Sequence, residues 1–142
     1  FRYAEVLLNY AEAMTNAFGP DYTDAQFPIS AREAVNQVRK RSDVNMPELP
    51  AGMSKADFLE RLKNERRVEL AFEGHRFWDV RRWKDLNQTA NIYGVKVKKT
   101  DSGFSYDKFL YETRTITDNL YFYPISNTEK YKNPSLGQNP GW

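Results

Sequence analysis

Glu65 to Trp83 reads ERRVELAFEGHRFWDVRRW, and the placement of its carboxylates decides how the chain folds. At about 100° per residue, Phe58, Leu62, Glu65, Glu69 and Phe72 fall on one face of a single helix. Two carboxylates therefore sit within an otherwise apolar stripe. Removing one member of a buried ion pair typically destabilises by ~3–5 kcal/mol, so cationic partners are required nearby. The stretch supplies Arg66, Arg67, Arg76, Arg81 and Arg82, and the preceding helix adds Arg39 and Arg41. The expected arrangement is an internal arginine–carboxylate lattice, bidentate where geometry allows. It would fix how two helices cross at Gly74, where glycine permits a left-handed turn and close approach. The structural set expected here is Glu65, Arg66, Glu69, Glu73, Gly74, Arg76, Trp78, Asp79, Arg82 and Trp83.

The same residues offer a second reading, as a catalytic centre. Glycosidase-like chemistry uses paired carboxylates, but its acid needs a raised pKa, whereas neighbouring arginines lower one. His75, the single histidine, has no serine, aspartate or second histidine arranged around it, and reads as a hydrogen-bonded helix-start residue. Asp79 reads as a cap or an arginine partner, because no second cluster of metal ligands accompanies it. Trp78 and Trp83 read as core residues. No catalytic residue, metal ligand or cofactor is expected.

Outward from this stretch, Ser54 and Asp57 give a capping signal for a helix predicted to run to about Glu73 and stop at Gly74. A short helix follows over about Arg76 to Leu86, apolar around its circumference and so predicted to be buried. Upstream, Tyr3, Leu7, Tyr10, Met14 and Ala17 recur at helical spacing beside a second stripe of Ala4, Leu8 and Ala11. Gly19-Pro20 ends that helix, and Ser30 with Glu33 forms a capping box for the next, whose buried stripe is Ala31, Ala34, Val35 and Val38. The pair reads as one tetratricopeptide-like hairpin, although such repeats run ~34 residues and need several copies. Asp43 to Met53 is an irregular connector.

After Asn87 the period changes. Tyr93, Val95 and Val97 alternate with Gly94, Lys96 and Lys98, a short strand turning at Asp101-Ser102-Gly103. Leu120 to Tyr123 is a weaker strand candidate, and Ser126 with Glu129 caps one helical turn in an irregular tail. The fold class is mainly α: a helical hairpin over 1–42, signature helices over 54–86, and a small β-hairpin with an extended tail over 87–142.

Composition narrows the function classes. Among 142 residues, 21 lysines and arginines face 19 acidic residues for a formal charge of +2, which is no nucleic-acid footprint. There is no cysteine, so disulfides, thiolate metal sites and cysteine nucleophiles are absent together. No window approaches the ~18 consecutive apolar residues of a membrane span. The chain opens inside an amphipathic pattern, with no initiating Met and no capping residue ahead of it, and so reads as a fragment of a longer chain.

Three motifs carry a family resemblance: FRYAEVLLNYAEA at Phe1 to Ala13, the Glu65 to Trp83 run, and NPSLGQNPGW at Asn133 to Trp142. Together, in order and with fitting gaps, they resemble the C-terminal part of the SusD/RagB family. Ser126 stands where the family often has proline, and serine still caps the turn. The resemblance implies a non-catalytic lipoprotein of the outer membrane, exposed at the cell surface. Such a protein captures nutrient, usually oligosaccharide, for a TonB-dependent SusC-like transporter, and is held by an N-terminal lipid anchor that is not present in this chain. Peptide capture on the same scaffold, or a stand-alone helical interaction module, are the alternatives.

The family's sugar-contacting residues lie largely upstream of this segment and vary, so no ligand-binding residue is carried over. Tyr93, Phe104, Tyr106, Phe109, Tyr111, Tyr121 and Tyr123 could stack on sugar, but most are expected in the core. Lys96, Lys98 and Lys99 read as protection of an exposed edge strand.

Overall fold

The computed structural model describes residues 2–142. Phe1, the first residue of the opening motif, lies outside them. The described residues form five α-helices, two short 3-10 turns and one two-stranded antiparallel sheet, a mainly α fold. They divide into two compact units, one ending at Arg76 and the other beginning at Phe77.

In the first unit, α1 (Tyr3–Ala17) packs against α2 (Ala31–Arg39) and α3 (Lys55–Glu69). Ala11, Ala31 and Ala34 are fully buried and let the backbones approach closely, while Leu8, Val35 and Phe58 fill the space between them. Most of the predicted apolar stripes form this core, but Tyr3 and Ala17, at the two ends of α1, are exposed. The Ser30–Glu33 capping box is reciprocal: Ser30 Oγ accepts from the Glu33 N–H at 3.1 Å, and the Glu33 carboxylate accepts from the Ser30 N–H at 2.9 Å. Ser54 likewise caps α3, accepting from the Asp57 N–H at 3.1 Å.

The connector between α2 and α3 is irregular and firmly held. Asn36, 3% exposed on α2, accepts from the Leu49 N–H at 2.8 Å and donates to the Leu49 carbonyl at 3.3 Å. One buried amide thus satisfies both backbone groups of a residue that has no ladder partner. Asp21, in the loop after α1, accepts from the Gly52 N–H at 2.8 Å and pairs with Arg32.

Helix α3 ends at Glu69, four residues before the predicted end. Leu70 departs from helical geometry while staying 2% exposed in the core, and Phe72 takes a positive φ of 63°. Phe72, predicted on the buried face, is fully exposed because this turn swings it out of the helical register. Gly74 makes the second left-handed step, at φ 81°.

Helix α4 (His75–Arg82) is shorter than predicted and is followed by a 3-10 turn over Leu86–Thr89. Its circumference is not buried: in the second unit Asp79 and Val80 are buried, whereas Phe77 and Trp78 are 38% and 60% exposed. Strands β1 (Asn91–Thr100) and β2 (Gly103–Thr113) form one long hairpin around the predicted turn. Gly94 lies opposite Phe109, whose ring occupies the space a Cβ would need, with 2.7 Å to the nearest ring atom. Leu120 to Tyr123 is not a strand: Asp118–Tyr121 is a 3-10 turn, closed by the Leu120 N–H bonding the Thr117 carbonyl at 3.0 Å. Helix α5 (Asn127–Lys132) follows, capped by Ser126 as predicted.

The aromatic residues expected in the core are mostly outside it. Tyr93, Phe104, Tyr106 and Tyr111 are all more than half exposed, because a two-stranded ribbon has no further sheet neighbours to cover its faces.

Candidate functional site

Two constellations stand out, one in each unit. The first is the charged lattice on α3. Glu65 pairs with Arg39 of α2, both side chains being largely buried. Glu69 is held by two arginines: Arg41 reaches its carboxylate at 2.6 and 3.1 Å, and Arg2 reaches it at 2.8 Å. Arg2 also donates to the backbone carbonyl of Glu69 at 2.7 Å and to both Glu73 oxygens at 3.1 and 2.6 Å. Its guanidinium thus sits at the C-terminal end of α3, where orphan carbonyls favour a cation. The hydrogen bond from Arg2 holds the Glu73 carboxyl below the usual range, opposite to what a general acid needs. Arg66 is 5% exposed and donates to Asn9 on α1 at 2.7 Å. His75 faces Glu5 at 3.8 Å.

Of the expected structural set, Glu65, Arg66, Glu69, Glu73, Gly74 and Arg76 fall in the first unit, and the remaining four in the second. Asp79 is 4% exposed and accepts from Arg82 Nε at 2.9 Å, one turn along α4. The Arg82 guanidinium lies 4.5 Å from the centre of the Trp83 ring. Trp78, read as core, is the exception. Its ring stands edge-on to Phe77 at 5.0 Å and tilted towards Tyr123 at 5.7 Å, with more than half its surface open.

That exposed ring belongs to the second constellation, a cleft of about 800 Å³ within the second unit. Trp78, Tyr121, Phe122 and Tyr123 provide its aromatic walls. Arg81, Arg82 and Lys84 bring positive charge, and Asp118 brings one carboxylate. The cleft volume falls within the ~300–1,000 Å³ usual for small-molecule sites. Its walls are tied down. Tyr121 donates to the Lys84 carbonyl at 3.0 Å, Trp142 Nε1 to the Asn119 carbonyl at 3.0 Å, and Arg81 to the Phe77 carbonyl at 2.8 Å. Residues 118–123 carried no ligand-site signal in the sequence beyond their rings, because the opposing wall comes from α4.

The first unit is thus braced by buried charge, and the second holds a ring-lined cleft. The chain belongs to the SusD family, which it matches over residues 1–142. It is 40% identical to a SusD-like protein of Formosa agariphila over 100 residues, covering 66% of this chain and 18% of the relative. A second SusD-like protein of that organism is 28% identical over 150 residues, covering 99% of this chain and 25% of its own. Among solved structures, a SusD-like protein of Bacteroides fragilis superposes with a TM-score of 0.79 at 34% identity, covering all of this chain and 25% of that one. The chain therefore spans a quarter or less of the length of these relatives.

Proposed function

We propose that the intact protein captures an oligosaccharide at the cell surface and delivers it, chemically unchanged, to a TonB-dependent SusC-like transporter of the outer membrane. In this reading residues 1–142 form the C-terminal part of a longer, lipid-anchored chain, and the charged lattice of Glu65, Glu69 and Glu73 is scaffold. The observation that carries the reading is membership of the SusD family across the chain. The ring-lined cleft supports it, because aromatic faces with a few placed polar groups suit a sugar. Isothermal titration of the intact protein against panels of oligosaccharides and of short peptides tests it. Saturable heats with sugars support the reading; binding confined to peptides replaces the nutrient class, and silence with sugars rejects it. Co-purification with a SusC-like transporter tests delivery.

A further inference from the structure

We propose that the cleft between α4 and residues 118–123 takes the carboxylate-bearing rings of an anionic, uronate-containing oligosaccharide. This rests on the reading of the protein as an oligosaccharide-capturing one and names the ligand chemistry of a particular site.

The aromatic wall argues for a sugar. Trp78, Phe122 and Tyr123 are 60%, 53% and 54% exposed, although rings of this size gain much from burial. The Trp78 and Tyr123 rings, 33° apart in plane, present two adjoining apolar faces on which the C–H faces of successive sugar rings can lie. The Arg81 guanidinium rests 3.5 Å from the Phe77 ring centre, which holds that side chain in place.

The charge argues for an anion. Three cations and one carboxylate line the cleft, and with Arg82 paired to Asp79 this leaves Arg81 and Lys84 against Asp118. Arg82 is engaged with Asp79, but no carboxylate lies within ion-pair distance of the Lys84 ammonium among the described residues. The Arg81 Nε–H is itself shielded from solvent, its guanidinium lying over the Phe77 ring, so any contact with ligand falls to the more open part of the guanidinium. The Asp118 carboxylate is placed to accept hydrogen bonds from sugar hydroxyls. A neutral sugar leaves the cations unused, and an acidic peptide leaves most of the aromatic wall unused.

The shape is held before ligand arrives. Tyr121 and Trp142 tie the 118–123 segment at both ends, so little ordering is left for binding to require.

The test is isothermal titration of the intact protein at low and moderate salt with tetragalacturonate, cellotetraose and tetraglutamate. It is run on the wild type, Trp78→Ala and Lys84→Gln, with far-UV circular dichroism to verify folding. Tetragalacturonate should bind, at least tenfold more weakly in Trp78→Ala. In Lys84→Gln it should bind several-fold more weakly, with a shallower salt dependence. Lys84 is exposed, so its variant remains informative if Trp78→Ala does not fold. Cellotetraose binding as tightly as tetragalacturonate, or affinity unchanged in both variants, would overturn the anionic-sugar site and leave oligosaccharide capture standing. Tetraglutamate binding as tightly as tetragalacturonate overturns the choice of sugar. Binding of no oligosaccharide in this set or in the wider panel overturns both.

Discussion

Arg2 donates to the backbone carbonyl of Glu69 at 2.7 Å and to its carboxylate at 2.8 Å. The two residues lie 67 positions apart, so one side chain from the start of α1 both caps α3 and neutralises its last residue. Arg2→Met should leave the helices in place but loosen the turn over residues 70–74. Amide hydrogen exchange there should quicken and Tm should fall by a few degrees. Unchanged protection of the turn would show that Gly74 and Leu70 set the helix end unaided.

The Arg39–Glu65 pair is largely buried, with side chains 14% and 13% exposed. Glu65→Leu or Arg39→Leu alone should cost about 3 kcal/mol, because each strands an opposite charge. The double variant should recover much of that loss, since a buried ion pair and an apolar pair of similar volume often balance. Chemical denaturation of all four proteins gives the coupling directly. Additive losses would mean that the pair is not a unit.

Asn36 serves the backbone of Leu49 in both directions. Asn36→Leu removes both bonds and leaves a buried N–H and a carbonyl unsatisfied. A loss of ~1–3 kcal/mol is expected, together with proteolytic cleavage in the 41–53 connector. A loss below about 0.5 kcal/mol would mean that the connector is held by its own turns.

Acid should unfold the chain and mild alkali should not. The Ser30 N–H and hydroxyl hold Glu33 below the usual carboxyl range, and Arg2 does the same to Glu73. Burial pushes Asp21 up, and the bonds from Arg32 and the Gly52 N–H outweigh it. A depressed carboxyl contributes stability that is fully present above its unfolded pKa and is lost as pH falls through the folded value. With ordinary values of 4.5 and 3.8 for the two residue types, Tm should be level from pH 7 to 5 and fall below about 4.5. A main loss between pH 8 and 6 would contradict this.

Much of this was legible in the sequence where the signal is local. Helical spacing placed Leu8, Val35 and Phe58 in the core, Ser30, Ser54 and Ser126 at helix starts, and Glu65 and Glu69 on the core-facing side of α3. That arginines partner Glu65 and Glu69 followed from the cost of burying charge, but which of the seven candidate arginines does so did not. What escaped depends on distant contacts. No period marks Arg2 as the partner of Glu69, or Asn36 as the partner of Leu49. The cleft is assembled by a bond between Tyr121 and Lys84, 37 positions apart, so Trp78 looked like core until its opposing wall was in place.

On the proposed function, the intact protein holds nutrient and does no chemistry on it. One experiment meets it directly: titrate the intact protein with an oligosaccharide panel, then recover each sugar and measure its length by mass spectrometry. The account predicts saturable binding of at least one oligosaccharide and its recovery at full length after prolonged incubation. Shortened products that vanish in Glu69→Gln while that variant stays folded would contradict it, as would the absence of binding across the panel.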